Sequence, residues 1–97
     1  MTVIAEVTTY PIGKGISLSK YVKEAMKVLK ESGLKYQIGP MSTSIETESV
    51  EELFELIGKM HNAIGEAGCQ RISTAIRIDD RRDKVRVMMD KVRAVEV

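Results

Sequence analysis

Aromatic residues make up only 4% of this 97-residue chain, and Phe54 is its sole phenylalanine. The core therefore has to be built from Val, Ile, Leu, Met and Ala, with Phe54 its only phenylalanine. Cys69 is alone, which excludes an intrachain disulfide and a cysteine cluster for metal. Charge of one sign is also lacking. Fifteen basic residues against fourteen acidic ones leave a formal charge of +1, so there is no basic field for nucleic acid and no net pull toward anionic membranes. No apolar run approaches the roughly 20 residues that span a bilayer. The N-terminus runs directly into a strand pattern containing Glu6, which does not read as a signal peptide. These absences lead us to expect a cytoplasmic protein without nucleic-acid or membrane partners. What is present, 43% hydrophobic and 30% charged residues, is the balance of one folded domain over 1–97.

The order of elements follows from periodicity. Thr2 to Tyr10 is rich in β-branched residues and reads as a strand closed by Pro11. After the Gly13-Lys14-Gly15 loop, Ser17 and Ser19 are each able to cap a helix, whose buried stripe is Leu18, Val22, Ala25, Met26 and Leu29. Gly33 is its stop signal. Leu34–Ile38 and Met41–Thr47 read as two strands around the Gly39-Pro40 turn. Ser49 and Glu52 have the spacing of a capping box, from which Val50, Leu53, Phe54, Ile57, Met60 and Ile64 continue as an apolar stripe up to Gly68. Gln70–Ile78 reads as a fourth strand. The order β-α-β-β-α-β predicts an α+β, ferredoxin-like sandwich with a four-stranded antiparallel sheet and both helices on one face. Val85, Met88, Met89 and Val92 then predict an additional C-terminal helix over about 81–95, with Asp80 as its cap. That helix must cover a sheet edge, lie on the open face, or pack against another subunit.

Alternation along the first strand places Val3, Ala5 and Val7 under the helices and Ile4, Glu6, Thr8 and Tyr10 on the open face. On the fourth strand it separates Ile72, Thr74, Ile76 and Ile78 from Arg71, Ser73, Ala75 and Arg77. An open face of this mixed composition suits either solvent or cover by a second subunit enclosing a small ligand. Thr43 and Glu46 carry hydrogen-bonding groups on the third strand, but strict alternation puts them on opposite faces unless a bulge intervenes. The glycine loop lacks the spacing of a nucleotide-binding motif. It reads as a flexible connection in which Lys14 could steer an anion. Arg81 and Arg82 fit solvated partners of a helix start, or bidentate contacts to an anion or a neighbouring subunit. His61 sits at the edge of an apolar stripe with no second His or Cys nearby, and Cys69 reads as a packing residue. No metal set and no nucleophile–base pair is evident, so no cofactor and no catalytic residues are expected.

Several ordered motifs at matching spacing resemble the small thiamine-binding (hydroxymethylpyrimidine/thiamine-binding) protein family. They are Tyr10-Pro11-Ile12-Gly13 with Gly15 and Ser17, Tyr21-Val22, Glu31 to Tyr36, Gly39-Pro40-Met41 with Thr43, Ile45-Glu46, His61, and Arg77 to Arg82. The resemblance covers essentially the whole chain. It implies a ferredoxin-like subunit with an added C-terminal helix, assembled as dimers into a homotetramer. It further implies binding of thiamine or its pyrimidine half near a subunit contact, with no established catalysis. Carried onto this sequence, it selects Glu6, Thr8, Tyr10, Thr43 and Glu46 as the pocket, with Glu6 or Glu46 opposing the thiazolium or accepting from the aminopyrimidine. The alternative function is a regulatory module whose assembly responds to ligand and signals to a partner protein. An enzyme using Glu46 or His61 as a base is the third reading.

Overall fold

Val3, Ala5 and Val7 alternate with Ile4, Glu6 and Thr8 on opposite faces of β1 (Val3–Pro11), the first set almost wholly buried. The computed structural model describes residues 2–97. It continues through α1 (Ser19–Glu31), β2 (Lys35–Ile38), β3 (Thr43–Thr47), α2 (Val50–Glu66), β4 (Ile72–Asp80) and α3 (Met88–Arg93). The four strands form one antiparallel sheet in the order β2-β3-β1-β4, the expected ferredoxin-like topology.

The core lies between the sheet and the two long helices. Ala25 and Leu29 of α1 meet Leu53, Leu56, Ile57, Met60 and Ile64 of α2 over Val3, Ala5, Val7 and Ile45. Each large aliphatic side chain taken fully out of water here contributes roughly 1.5–3 kcal/mol. Phe54, expected in this stripe, is 52% exposed, while Leu56 is buried. One step of about 100° along the helix from Leu53 carries Phe54 beyond the cover of the sheet.

Local chemistry sets most of the boundaries. The Ser49 hydroxyl accepts from the Glu52 amide at 3.1 Å, capping α2 as expected. The returning Glu52 carboxylate takes the Glu48 amide instead of that of Ser49. At the start of α1 neither Ser17 nor Ser19 caps. Leu18 holds that position, its carbonyl accepting from Tyr21 and Val22 with no side-chain cap. Gly33 ends the segment at φ 73°, a conformation that costs an L-residue about 1–2 kcal/mol.

The C-terminal helix is shorter than expected, six residues instead of most of 81–95. Its predicted cap, Asp80, is the last residue of β4, paired in register with Val3. The intervening segment is fastened by local ion pairs, Arg82 with Asp80 and Arg81 with Asp83, and does not wind. Asp90 accepts from the Val87 amide and starts α3 there. The helix lies on the open face, where it contacts β3.

Candidate functional site

The sheet register builds the open face in rows. Gln37, Ser44, Glu6 and Arg77 stand side by side on β2, β3, β1 and β4, and the neighbouring row is Lys35, Glu46, Ile4 and Asp79. Further along, Thr8 lies beside Ala75 and Tyr10 beside Ser73. A carboxylate therefore occupies the middle of a central strand, between a hydroxyl and a guanidinium. One Glu6 oxygen accepts from the Ser42 hydroxyl at 3.0 Å, and the residue is exposed. No ion pair joins Arg77 to Glu6 among the described residues.

α3 is tied across the second row. The Met88 amide donates to Glu46 Oε1 at 2.6 Å, and Lys91 pairs with Asp79. The lysine, first by its hydrogen bond and then by its charge, holds the Asp79 carboxyl below its ordinary value of 3.8. Ile4, Ala5, Glu6, Ser44, Arg77, Ile78, Asp79 and Lys91 surround a depression of about 500 Å³ beside this helix, within the range of small-molecule sites. A larger groove, about 600 Å³, runs between α1 and α2 on the far side of the molecule. Its walls are mainly long solvent-facing side chains such as Glu31, Glu66 and the Lys59–Glu55 pair. The sheet depression instead sets the Glu6 and Asp79 carboxylates beside the Ser44 hydroxyl, the Arg77 guanidinium and the Lys91 ammonium.

The structure gathers four of the five expected pocket residues, Glu6, Thr8, Tyr10 and Glu46, on one face. Thr43 is excluded. It pairs with Val7, is 6% exposed and faces the helices, because β3 alternates without a bulge. Glu46 has one oxygen committed to α3. The cations expected to attract anions, Arg81, Arg82 and Lys14, have partners outside this face. Arg81 grips Asp83 through Nε and Nη2, which raises its own pKa and lowers that of Asp83. Arg82 holds Asp80, and the Lys14 ammonium sits 5.9 Å from the Tyr21 ring centroid. Sequence reasoning missed Ser44, Asp79 and Lys91. Alternation from Glu46 and Arg77 could have supplied the first two, but nothing local signals Lys91.

His61 lies away from this face. Its Nδ1 is 2.7 Å from the Thr74 hydroxyl, itself 2.7 Å from that of Thr9, so the three link α2 to β4 and β1. Cys69 is a free, buried thiol. Among the described residues no three His, Cys, Asp or Glu side chains converge as metal ligands, and no helix is long and apolar enough to cross a membrane.

Comparison with known proteins decides the family. A family model described as thiamine-binding protein matches residues 5–96. The chain belongs to the thiamine-binding protein family. Relatives within reach include a UPF0045 protein of Methanothermobacter thermautotrophicus, 41% identical over 97% of this chain and 96% of its own length. The UPF0045 protein YqgV of Bacillus subtilis is 43% identical, over 95% and 92% of the two chains. Among solved structures, a hypothetical protein of Methanocaldococcus jannaschii superposes with a TM-score of 0.88 at 34% identity, covering 97% of this chain and 95% of that one. A thiamine biosynthesis/salvage candidate of Thermotoga maritima shares the fold, with a TM-score of 0.85 at 20% identity over 99% and 100% of the two chains. This member of the thiamine-binding family thus carries the family fold over nearly its full length, with its convergent polar groups on the open face of the sheet.

Proposed function

We propose that this family member binds a small heterocycle of the thiamine class, thiamine or its hydroxymethylpyrimidine half, on the open face of the sheet. The observation that carries the proposal is Glu6, set between Ser44 and Arg77 on a central strand beside a depression of small-molecule size. A carboxylate there accepts hydrogen bonds from an aminopyrimidine and offsets a thiazolium charge. Thr8 adds a hydroxyl and Tyr10 a ring face. The remaining Glu46 oxygen is a further acceptor. In this proposal the ligand is bound without being turned over. The protein acts as a homotetramer built from dimers, in which a second subunit covers the open face. A free, buried Cys69 suits a reducing cytoplasm.

The test is thermal unfolding with thiamine, hydroxymethylpyrimidine and simple anions. At about a hundred times Kd a native-state ligand stabilises by about 2.7 kcal/mol, which raises Tm by roughly ten degrees in a domain of this size. Glu6→Gln should abolish most of that shift while leaving unliganded Tm unchanged. No shift with either pyrimidine at millimolar concentration would refute the proposal.

A second reading is favoured by the position of α3. Glu46 and Asp79 both line the face and anchor the helix, so a cationic ligand competing for them would release it. The protein would then be a ligand-responsive module signalling to a partner protein. Saturating ligand would change the protease sensitivity of the C-terminal segment and the size of the assembly. An unchanged digest and unchanged light scattering would exclude it.

A further inference from the structure

We infer, on the basis of the open-face site proposed above, that this site prefers the phosphate monoester of the hydroxymethylpyrimidine over the free alcohol. Glu6 takes the ring amino group and Arg77 the phosphate. The two residues are directly opposed on β1 and β4, so their Cβ atoms lie about 4.5–5.5 Å apart. Both line the depression, which thereby sets an acid and a base side by side on one face of the sheet. The pyrimidine carries its amino and hydroxymethyl groups on neighbouring ring carbons. Once the hydroxymethyl bears a phosphate, a donor stands next to an anion, and each meets its complement.

Arg77 is the cation of the depression left for an anion. Lys91, the other one, pairs with Asp79. Among the described residues no carboxylate lies within ion-pair distance of Arg77. The Ser42 hydroxyl occupies one Glu6 oxygen at 3.0 Å, which leaves the other for an amino hydrogen. Next to Arg77 on the same face of β4 is Ala75, paired with Thr8 on β1. Both are exposed. The space on this side of the guanidinium therefore has a methyl floor and a hydroxyl at its edge, with no carboxylate of its own row. On the other side the charge of Asp79 is offset by Lys91.

Charge also fixes how the ring lies. Glu6 repels a phosphate, which turns the ester outward over β4 and the amino group inward over β1. There the guanidinium presents two parallel N–H donors to phosphate oxygens, whereas a neutral hydroxyl takes a single weaker bond. In thiamine monophosphate the phosphate hangs from the second ring, too far from the amino group for two adjacent residues to hold both.

Titration calorimetry at low salt tests this with five probes: hydroxymethylpyrimidine, its phosphate monoester, thiamine, thiamine monophosphate and inorganic phosphate. A charge-assisted contact of this kind should make the ester bind at least about tenfold tighter than the alcohol. That ratio should rise as pH passes through about 6, where the ester takes its second charge, and fall with added salt. Arg77→Gln should bring it within about twofold, and Arg77→Lys, which keeps the charge without the fork, should retain part of it. Arg77 is exposed, and circular dichroism checks that both variants fold. Thiamine monophosphate should gain less over thiamine than the ester gains over its alcohol. An ester bound no tighter than the alcohol, or a ratio unaltered in Arg77→Gln, overturns the inference and leaves the pyrimidine site standing. An equal gain for thiamine monophosphate, or inorganic phosphate bound as tightly as the ester, overturns it as well. Binding of neither pyrimidine refutes the site itself, and the preference with it.

Discussion

Removing the Glu46 carboxylate should free the C-terminal helix while leaving the sandwich folded. α3 buries no residue fully, so little apolar area holds it. Its backbone anchor is the 2.6 Å hydrogen bond from the Met88 amide to Glu46 Oε1. A hydrogen bond to a charged group contributes about 1.5–3 kcal/mol, and the negative charge at the helix start adds a few tenths more. In Glu46→Ala the local opening equilibrium of α3 should therefore shift by roughly ten- to a hundredfold, since about 1.4 kcal/mol is a factor of ten. Amide exchange reads this at Met88 and its neighbours, and trypsin reads it as faster cleavage after Lys84 and Arg86. The Glu46→Gln variant keeps an acceptor but loses the charge and should show about half the effect in free energy. Exchange in the core helix α2 should not change. Unaltered exchange at Met88 in Glu46→Ala would refute the reasoning, as would loss of protection throughout α2.

Other expectations follow from the same geometry. Leu53→Ala should cost about 2–5 kcal/mol in urea unfolding, while Phe54→Ala, half exposed, should stay within about 0.5 kcal/mol for dilute protein; equal losses would return Phe54 to the core. Ser49→Ala removes the cap of α2 and should cost about 1 kcal/mol, with Ser49→Asp close to neutral. Because the Asp79 pKa is lowered in the folded state by Lys91, its contribution is fully present above its ordinary value and is lost as pH falls through the lowered one. Exchange in α3 should thus accelerate as pH falls below the ordinary Asp79 value of 3.8, after correction for intrinsic rates, and Lys91→Met should remove that component.

Period-two alternation and helical stripes are local properties, and they carried the element order, the buried face of β1 and the cap of α2. Glu6, Thr8 and Tyr10 could be placed on one face because β1 is regular. The same rule warned against Thr43, whose strand proved equally regular. The failures were in contacts that span the chain. Val85, Met88, Met89 and Val92 have helical spacing, but the first of them lies ahead of the helix, which starts at Met88. The tie between Glu46 and Met88 crosses 42 residues, and that between Asp79 and Lys91 depends on where α3 docks. Phe54 failed for a different reason. A stripe read from one helix does not show how far the sheet beneath it extends, and only Leu56 and its neighbours lie within that cover.

The most direct test of the central claim is an amide chemical-shift titration with thiamine. The account predicts saturable shifts at Glu6, Thr8, Ser44 and Arg77, spreading to Met88 and Lys91, with α1 and α2 unchanged at Glu31, Glu55 and Asn62. Shifts confined to the α1–α2 groove, with the open face silent, would contradict it.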